Sequence, residues 1–506
     1  MGGDTVSSNI YATLFARFQH KLDATCIETT DGRVITFREF DAATARIANL
    51  LTSLGLQKED RVAAQVDKSP EALFLCLGAQ RAGFAFLPLN SAYQTAEVAY
   101  FLENAAPKLV VCPAKAKEGI TAIANGATVL TLEADGSGSL IDAAQDQPDG
   151  FATVESAADD MAAILYTSGT TGRAKGAMLT HGNLSTNVAV TNHFWGWVPG
   201  DVLLHALPIF HVHGLFVACN NALYNASPML WHAKFDAAAV LKDLARATVL
   251  MGVPTFYTRL LSLPNFGKDA VATMRLFISG SAPLLIETFT EFTARTGHTI
   301  LERYGMTEVQ MAISNPFDGP RIGGTVGVPL PGVSVRIVDE AGTESPVGET
   351  GAILLKGPNI FRGYWQMPEK TKEDFTDDGW FKTGDMGKRD ENGYISIVGR
   401  AKDLIICGGL NVYPKEIEEL LDAMPEVEES AVIAMPHPDF GEAVAAVIVL
   451  KPQASLSEEA VVEHVKSNLA NFKVPKAVFF TPDLPRNAMG KVQKNILRQT
   501  YFPAKA

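Results

Sequence analysis

The segment Tyr166-Thr-Ser-Gly-Thr-Thr-Gly-Arg-Ala-Lys-Gly176 contains residue types that bind anions: three glycines, four Ser or Thr hydroxyls and two cations. Glycine lets backbone N–H groups approach an anion closely, and successive N–H groups form anion-binding concavities. We therefore predict a polyphosphate-binding loop, with an ordinary polar surface loop as the alternative. The predicted ligands are Thr167, Ser168, Gly169, Thr170, Thr171, Gly172 and Lys175.

The sequence on either side of this loop indicates that it joins two strands. Residues 162–165 and 177–180 are short apolar runs, which are typical of buried strands. A Walker A loop requires Ser or Thr directly after its lysine, whereas Gly176 follows Lys175 here. The loop is therefore predicted to bind phosphates in a different manner from a P-loop.

Later segments contain further groups suited to phosphate chemistry. Residues 274–283 are predicted to form a strand that ends in a turn of small residues, and residues 301–308 place an aromatic, a hydroxyl and a carboxylate close together. A carboxylate combined with substrate phosphates is a usual way to hold Mg²⁺. From residue 466 onward there are eight Lys or Arg residues and one acidic residue, Asp483, although the whole chain has a net charge of −13.

With these motifs the chain resembles the adenylate-forming superfamily, which includes acyl-CoA synthetases, luciferases and the adenylation domains of peptide synthetases. The resemblance covers nearly the whole chain, and it implies that ATP, Mg²⁺ and coenzyme A are used. It assigns catalysis to Lys491, Thr307 and Glu308, with Glu308 as the metal ligand. It assigns ATP or AMP binding also to Gly280, Ser281, Ala282, Glu302, Arg303, Tyr304, Gly305, Met306, Asp385 and Arg400.

The resemblance also implies a second half-reaction in which a thiol attacks the acyl-adenylate. In relatives a small domain pivots at a residue matching Lys402, and a strand matching Gly408, Gly409 and Leu410 then lines the pantetheine tunnel. The spacing from Pro485 to Lys491 resembles lysine acetylation sites in related synthetases, so a lysine acetyltransferase is an expected partner.

The acid is expected to be small and dicarboxylic. Segments 205–216, 252–259 and 302–308 resemble the malonyl-CoA synthetase family, in which an arginine matching Arg259 holds the distal carboxylate. An arginine in a mostly apolar cleft favours a bidentate carboxylate partner. His211, Ser281 and Met311 are expected to complete the pocket for malonate or methylmalonate. The alternatives are that Arg259 lies on the solvated face of its helix and that His211 is a core residue.

Other functional classes remain open at this stage. They are a ligase for a small monocarboxylic, long-chain or aromatic acid, a module that loads a carrier protein, a luciferase-like oxygenase, and an inactive scaffold. We expect no carrier domain after residue 506, which disfavours a loading module. The presence of Glu308, Asp385, Arg400 and Lys491 argues against an inactive scaffold.

Bulk composition narrows the classes further. The net charge of −13 disfavours nucleic acids and anionic membranes as partners. The five scattered cysteines form no Cys-x-x-Cys pair, which argues for a reducing compartment. No apolar run reaches 18 residues, so we expect no membrane span and a cytoplasmic location.

The order of helical and strand patterns predicts an α/β fold. We expect a large N-terminal domain, residues 1–401, made of α/β sheets plus a β-barrel-like part from about residue 320. A small mobile α/β domain, residues 402–506, is expected to follow the hinge at Lys402. Residues 134–160 are rich in Gly, Asp and Ala and are predicted to be a surface connection.

Overall fold

The computed structural model describes residues 8–167, 174–407, 410–437, 441–469, 471–487 and 490–503. The α-helices within these ranges are α1 Ile10–Phe18, α2 Phe37–Ser53, α3 Pro70–Arg81, α4 Thr95–Ala105, α5 Lys117–Ile123, α6 Ser139–Gln145, α7 His181–Phe194, α8 Asn220–Tyr224, α9 Ala237–Asp243, α10 Pro254–Leu261, α11 Ile286–Thr296, α12 Pro368–Glu373, α13 Pro414–Asp422, α14 Glu458–Asn468 and α15 Lys494–Tyr501. A π-helical turn, His213–Cys219, directly precedes α8.

The strands up to the large glycine-rich region are β1 Thr25–Thr29, β2 Val34–Thr36, β3 Arg61–Ala64, β4 Ala85–Pro88, β5 Leu109–Cys112, β6 Thr128–Thr131, β7 Met161–Thr167, β8 Lys175–Thr180, β9 Leu203–His205, β10 Met229–Trp231, β11 Val249–Gly252, β12 Leu276–Ser279, β13 Leu301–Met306 and β14 Gln310–Ser314. The later strands are β15 Val328–Pro329, β16 Ser334–Val338, β17 Gly351–Lys356, β18 Gly363–Tyr364, β19 Phe381–Arg389, β20 Ile395–Arg400, β21 Ile405–Cys407, β22 Leu410–Val412, β23 Val427–His437, β24 Gly441–Leu450 and β25 Ala477–Phe480.

Two large sheets form the main body. One has nine strands in the order β15-β14-β13-β12-β11-β9-β10-β1-β2, and the other has seven in the order β18-β8-β7-β4-β3-β5-β6. Their central strands are parallel, and β4, β5, β11 and β12 are buried along their whole length. Parallel sheets covered by helices on both faces require such continuous apolar strands. The predicted α/β fold is therefore confirmed.

A smaller antiparallel sheet follows, with the order β16-β17-β19-β20. It occupies the region where the sequence predicted a β-barrel-like part, and its last two strands bring Asp385 opposite Arg400. The C-terminal part forms a fourth sheet, in which β25 pairs in parallel with β24. This sheet has apolar clusters of its own, formed by residues 405–502, so the C-terminal part has a separate core.

Local sequence signals explain several element boundaries. The Thr36 hydroxyl caps α2 while the Glu39 carboxylate accepts the Thr36 N–H, which is the predicted capping box. β7 and β8 flank the predicted phosphate loop as antiparallel neighbours, with Thr167 opposite Lys175. The connection predicted over residues 134–160 was partly wrong, because it contains α6, whose Leu140 and Ala144 are buried.

Candidate active site

Glu308 lies at the centre of a polar cluster where the two large sheets approach each other. Its side chain is almost fully buried, and its Oε1 accepts hydrogen bonds from the Tyr364 hydroxyl at 3.1 Å and the Thr167 hydroxyl at 3.4 Å. Burial raises the pKa of this carboxyl, because the charged form loses hydration. A nearby cation would therefore stabilise the charged form of Glu308.

Lys175 belongs to the same cluster. Its Nζ lies 3.3 Å from Asp374 Oδ2 and 4.2 Å from the centre of the Tyr364 ring. Tyr364 thus contacts Glu308 through its hydroxyl and Lys175 through the face of its ring. Ser168, Gly169, Thr170, Thr171 and Gly172, the other predicted loop ligands, lie outside the described residues.

Tyr304, Asp385 and Arg400 form a second cluster. The Tyr304 hydroxyl donates to Asp385 Oδ2, while Arg400 Nε lies 2.6 Å from the other carboxylate oxygen. Burial raises the pKa of Tyr304 well above its ordinary value, so the phenol remains neutral. The structure therefore joins three residues that the sequence separated by almost a hundred positions, in an arrangement suited to hold a ribose.

The turn after β12 packs directly on Arg303. A Cβ atom on Gly280 would lie 2.4 Å from the Arg303 guanidinium, so any side chain there would displace that group. Ser281 has a left-handed backbone, with φ of +73°, which is uncommon for a residue with a side chain. Leu284 N donates to Glu302 Oε1 at 3.2 Å and thus ties this turn, which includes Ala282, to β13.

Glu302 also interacts electrostatically with the C-terminal part of the chain. Burial raises the pKa of Glu302 to about 7, and the positive charge of Lys415 in α13 opposes this rise. In addition, a Cβ on Gly490 would lie 3.4 Å from Thr255 Oγ1 in α10. Gly490, next to Lys491, therefore faces α10 of the large N-terminal part.

Beside the turn after β12 lies a buried cation with unpaired donors. Arg303 is 3% exposed, and among the described residues its Nε and Nη2 have no hydrogen-bond partner. His211 Nδ1 and His213 Nε2 are likewise buried without a described partner, while His213 Nδ1 lies 3.3 Å from Ser281 Oγ. Burial, with a smaller contribution from Arg303, lowers the pKa of His211 to about 4 and that of His213 well below its ordinary value.

These groups form a buried polar cluster suited to an anion. Both imidazoles are neutral at neutral pH, so the positive charge there comes from Arg303, whose pKa burial lowers to about 9. A buried charged donor without a partner costs more than the roughly 1–3 kcal/mol of a neutral one. A carboxylate bound between Arg303, His213 and Ser281 would satisfy these donors. The sequence had placed Arg303 in the nucleotide site.

The structure places Arg259 on the solvated face of α10, which is the alternative that the sequence had left open. The buried residues of α10 are Phe256, Tyr257, Leu260 and Leu261, and Arg259 is exposed on the opposite face. The physical reason is the helical period, since positions 256, 257, 260 and 261 form one apolar stripe that excludes position 259. A role of Arg259 in binding the acid stays a prediction, and the buried Arg303 is the competing candidate.

Met311 and the turn around Thr307 close the site from the β13–β14 hairpin. Met311 is 2% exposed, and its Cε would come within 2.7 Å of a Cβ on Gly305. Gly305 also has no room for a side chain because the Gln310 carbonyl is adjacent. Met306 and Thr307 are half-buried at the end of this hairpin, next to Glu308.

The structure constrains the remaining predicted residues less. Gly408 and Gly409 lie outside the described residues, and Leu410 begins β22 beside them. Lys491 N donates to Asn487 Oδ1 at 3.0 Å, which shapes the loop at the start of α15. Sequence reasoning missed Tyr364, Asp374 and His213 as site residues. His213 could have been found from its two-residue spacing to His211, whereas Tyr364 and Asp374 reach the site only through tertiary contact.

Comparison with known proteins agrees with this arrangement. The family model described as AMP-binding enzyme matches residues 14–365, and the model described as AMP-binding enzyme C-terminal domain matches residues 416–491. The chain therefore belongs to the AMP-binding enzyme family.

Individual relatives give more detail. The chain is 33% identical to a malonate–CoA ligase of Arabidopsis thaliana over 97% of this chain and 88% of the relative, and 34% identical to a feruloyl-CoA synthase of Amycolatopsis over 93% and 94%. ATP-bound MatB from Rhodopseudomonas palustris is 56% identical and superimposes with a TM-score of 0.96, covering 98% of this chain and 99% of that one. Apo MatB superimposes over the same shares with a TM-score of 0.86.

Proposed function

We propose that this protein, an AMP-forming acid–thiol ligase, joins malonate to coenzyme A through an acyl-adenylate and releases AMP and pyrophosphate. The observation that supports malonate is the buried Arg303 with its two unpaired nitrogen atoms next to Ser281 and His213. Malonate has a second carboxylate to fill this pocket, whereas a monocarboxylic acid would leave the arginine unpaired. The name of the Arabidopsis relative supports the same acid.

A binding comparison tests this assignment directly. Acetate is the matched control, because it has the reacting carboxylate and lacks the distal one. With a nonhydrolysable ATP analogue bound, calorimetry should give malonate at least about tenfold tighter binding than acetate, since each buried charge-assisted contact contributes roughly 1.5–3 kcal/mol. Equal binding of the two acids would contradict the assignment of the pocket.

Adenylation brings two anions together. A carboxylate oxygen of the acid attacks the α-phosphorus of ATP, the bond from that phosphorus to the bridging oxygen breaks, and pyrophosphate leaves. Lys175 is positioned on the phosphate loop by Asp374 and Tyr364, and Lys491 would stabilise the charge that develops between the acid and the α-phosphate. The Asp385–Arg400 pair would hold the ribose hydroxyls while Tyr304 contacts the base.

The residues present also fit a magnesium ion. The described residues contain no cluster of three or more His, Cys, Asp or Glu side chains, but Mg²⁺ commonly needs only one or two carboxylates together with substrate phosphates. Glu308 is the buried carboxylate that would hold it, with Thr167 beside it. When bound, such an ion neutralises the phosphate charge.

The second half-reaction needs a different face of the C-terminal part. The CoA thiol attacks the carbonyl carbon of the adenylate, a thioester bond forms, and AMP leaves with the bonding electrons. We infer that the C-terminal part rotates about Lys402 between the two steps, so that Gly408, Gly409 and Leu410 replace Lys491. The higher TM-score with ATP-bound MatB than with its apo form, 0.96 against 0.86, supports such a change in the family.

Two ion pairs support the pivot at this position. Arg400 is bound to Asp385 of the antiparallel sheet, whereas Asp403 is bound to Arg498 of α15 at 2.8 Å. Only residues 401 and 402 separate these anchored residues, so a rotation that keeps both pairs must occur there. We accordingly propose residues 1–401 and 402–506 as the two domains.

Replacing Lys402 with proline should separate the half-reactions, because proline restricts φ and removes the N–H that a hinge must reorient. Pyrophosphate release in the absence of CoA should stay within about threefold of wild type, while thioester formation from preformed adenylate should fall at least about tenfold. The control is the Lys466→Ala variant, which replaces an exposed lysine. An equal loss in both steps would contradict the hinge.

Several finer assignments remain proposals. Val212 and Met311 are both buried, and the space beside them is expected to decide whether methylmalonate is accepted. Acetylation of Lys491 by a lysine acetyltransferase would remove its charge and stop adenylation. A cytoplasmic location is supported by the five cysteines, which are all free. Within the described residues, no helix has both the length and the apolar character needed to cross a membrane.

A ligase for an aromatic acid is the second candidate. The feruloyl-CoA synthase favours this candidate, because it matches most of the chain at 34% identity, against 33% for the Arabidopsis malonate–CoA ligase. The buried Arg303 disfavours it, since an aromatic ring offers no anion to that guanidinium.

A further inference from the structure

His205, at the end of β9, lies behind the acyl pocket and contacts both ends of the neighbouring π-helical turn. Its Nε2 lies 2.9 Å from the Gly214 carbonyl oxygen and 3.4 Å from Cys219 Sγ. Because a carbonyl oxygen only accepts, Nε2 bears the proton. The imidazole is buried and stacks on Trp231, with ring centres 4.9 Å apart and planes inclined by 11°.

The backbone of His205 is held just as firmly. The Lys68 ammonium donates to the carbonyl oxygens of His205 and His232 at 2.8 and 2.7 Å, and it lies 4.5 Å from the Trp231 ring. It therefore joins the ends of β9 and β10. Lys68 and His205 are both nine-tenths or more buried, and neither takes part in the adenylation chemistry described above.

The turn that His205 contacts presents the pocket residues. His213 begins the turn, and its Nδ1 faces Ser281 Oγ at 3.3 Å. Gly214 follows it in a position without room for a side chain, since a Cβ there would lie 2.0 Å from the Pro208 carbonyl oxygen. π-helical turns are rare and concentrate at functional sites. The Gly214 carbonyl is thus the point at which His205 can set the direction of the adjacent imidazole.

We propose that His205 is a positioning residue for the dicarboxylic acid, whose hydrogen bond to the Gly214 carbonyl holds His213 against Ser281 in the pocket beside Arg303. The inference rests on the proposed function, because it assigns to His213 a contact with the distal carboxylate. It adds a residue outside the pocket that controls the preference for a dicarboxylic over a monocarboxylic acid.

Two amide variants of different length test the hydrogen bond. Glutamine can place an amide N–H where His205 Nε2 lies, whereas asparagine is too short to reach Gly214. His205→Asn should raise the KM for malonate about tenfold, because a buried carbonyl loses its donor, while the KM for ATP should change less than about twofold. His205→Gln should stay within about threefold of wild type for both substrates.

Acetate and a second variant complete the experiment. With acetate, which has no distal carboxylate, the Asn and Gln variants should adenylate equally well. If the Asn variant does not fold, as shown by its melting temperature, His205→Phe keeps the stacking on Trp231 and should show the same rise in the malonate KM. His298→Gln, a histidine packed on Phe277, is the control and should leave the malonate KM unchanged.

The outcomes separate the inference from the proposed function. Equal malonate KM values for Asn and Gln variants, or an equal loss with acetate, would overturn the role of His205. A wild-type enzyme that adenylates other acids but not malonate would overturn the proposed function. The wild-type measurement alone gives that result, so it is distinguished from any failure of the His205 variants.

Discussion

Replacing Lys491 with alanine should lower the rate of adenylate formation by about a hundredfold or more, because loss of one contact to charge that develops in the transition state commonly has this effect. The loop that ends in Lys491 faces α10 of the large sheets through Gly490 and Thr255. The measurement is malonate-dependent pyrophosphate release in a single turnover without CoA.

The same variant should form the thioester almost normally when malonyl-adenylate is supplied, since Lys491 would be absent from the site in that step. Lys466→Ala is the matched control, because this lysine is 61% exposed and pairs only with Glu463 in α14 among the described ion pairs. It should keep both rates within about twofold. A hundredfold loss of both half-reactions in Lys491→Ala would mean that the lysine supports the fold or CoA binding instead.

Replacing Arg303 with methionine should lower kcat/KM for malonate by about a hundredfold or more, because removal of one partner from a buried charge pair costs roughly 2–5 kcal/mol. Methionine keeps much of the side-chain volume packed on Gly280. The KM for ATP should change much less, since Tyr304, the proposed nucleotide contact, lies on the other face of β13. Steady-state kinetics with malonate and ATP varied in turn distinguish the two effects.

Arg259→Leu is the paired variant, and it should stay within about twofold of wild type because Arg259 is exposed on α10. Residual activity of Arg303→Met with acetate would show that the variant remains folded. If Arg259→Leu lost malonate activity while Arg303→Met kept it, the assignment of the distal carboxylate to Arg303 would be wrong.

Much of the fold was predictable because its signals are local. The capping box of Thr36 and Glu39 and the strands on both sides of the phosphate loop depend on residues a few positions apart. The order of strand and helix patterns likewise predicted two α/β parts. The helix α6 was not predicted, because only two of its seven residues are buried, too few for a clear helical period.

The cluster around Arg303 was harder to predict because its members meet only in the folded chain. Arg303 stands beside Tyr304 in a nucleotide motif, yet side chains on a strand alternate, so the two residues face opposite sides of β13. From this alternation the sequence alone could have predicted that Arg303 points away from the side of β13 that Tyr304 faces. The contacts of Asp374 with Lys175 and of Arg498 with Asp403 join residues 199 and 95 positions apart, which no local pattern reveals.

The measurement that tests the central claim is ATP-dependent release of AMP with coenzyme A and a panel of acids: acetate, malonate, methylmalonate, benzoate and octanoate. The buried Arg303 predicts activity with malonate, with or without methylmalonate, and little with the three monocarboxylic acids. A preference for acetate, benzoate or octanoate would contradict the dicarboxylate pocket while leaving the adenylate-forming mechanism intact.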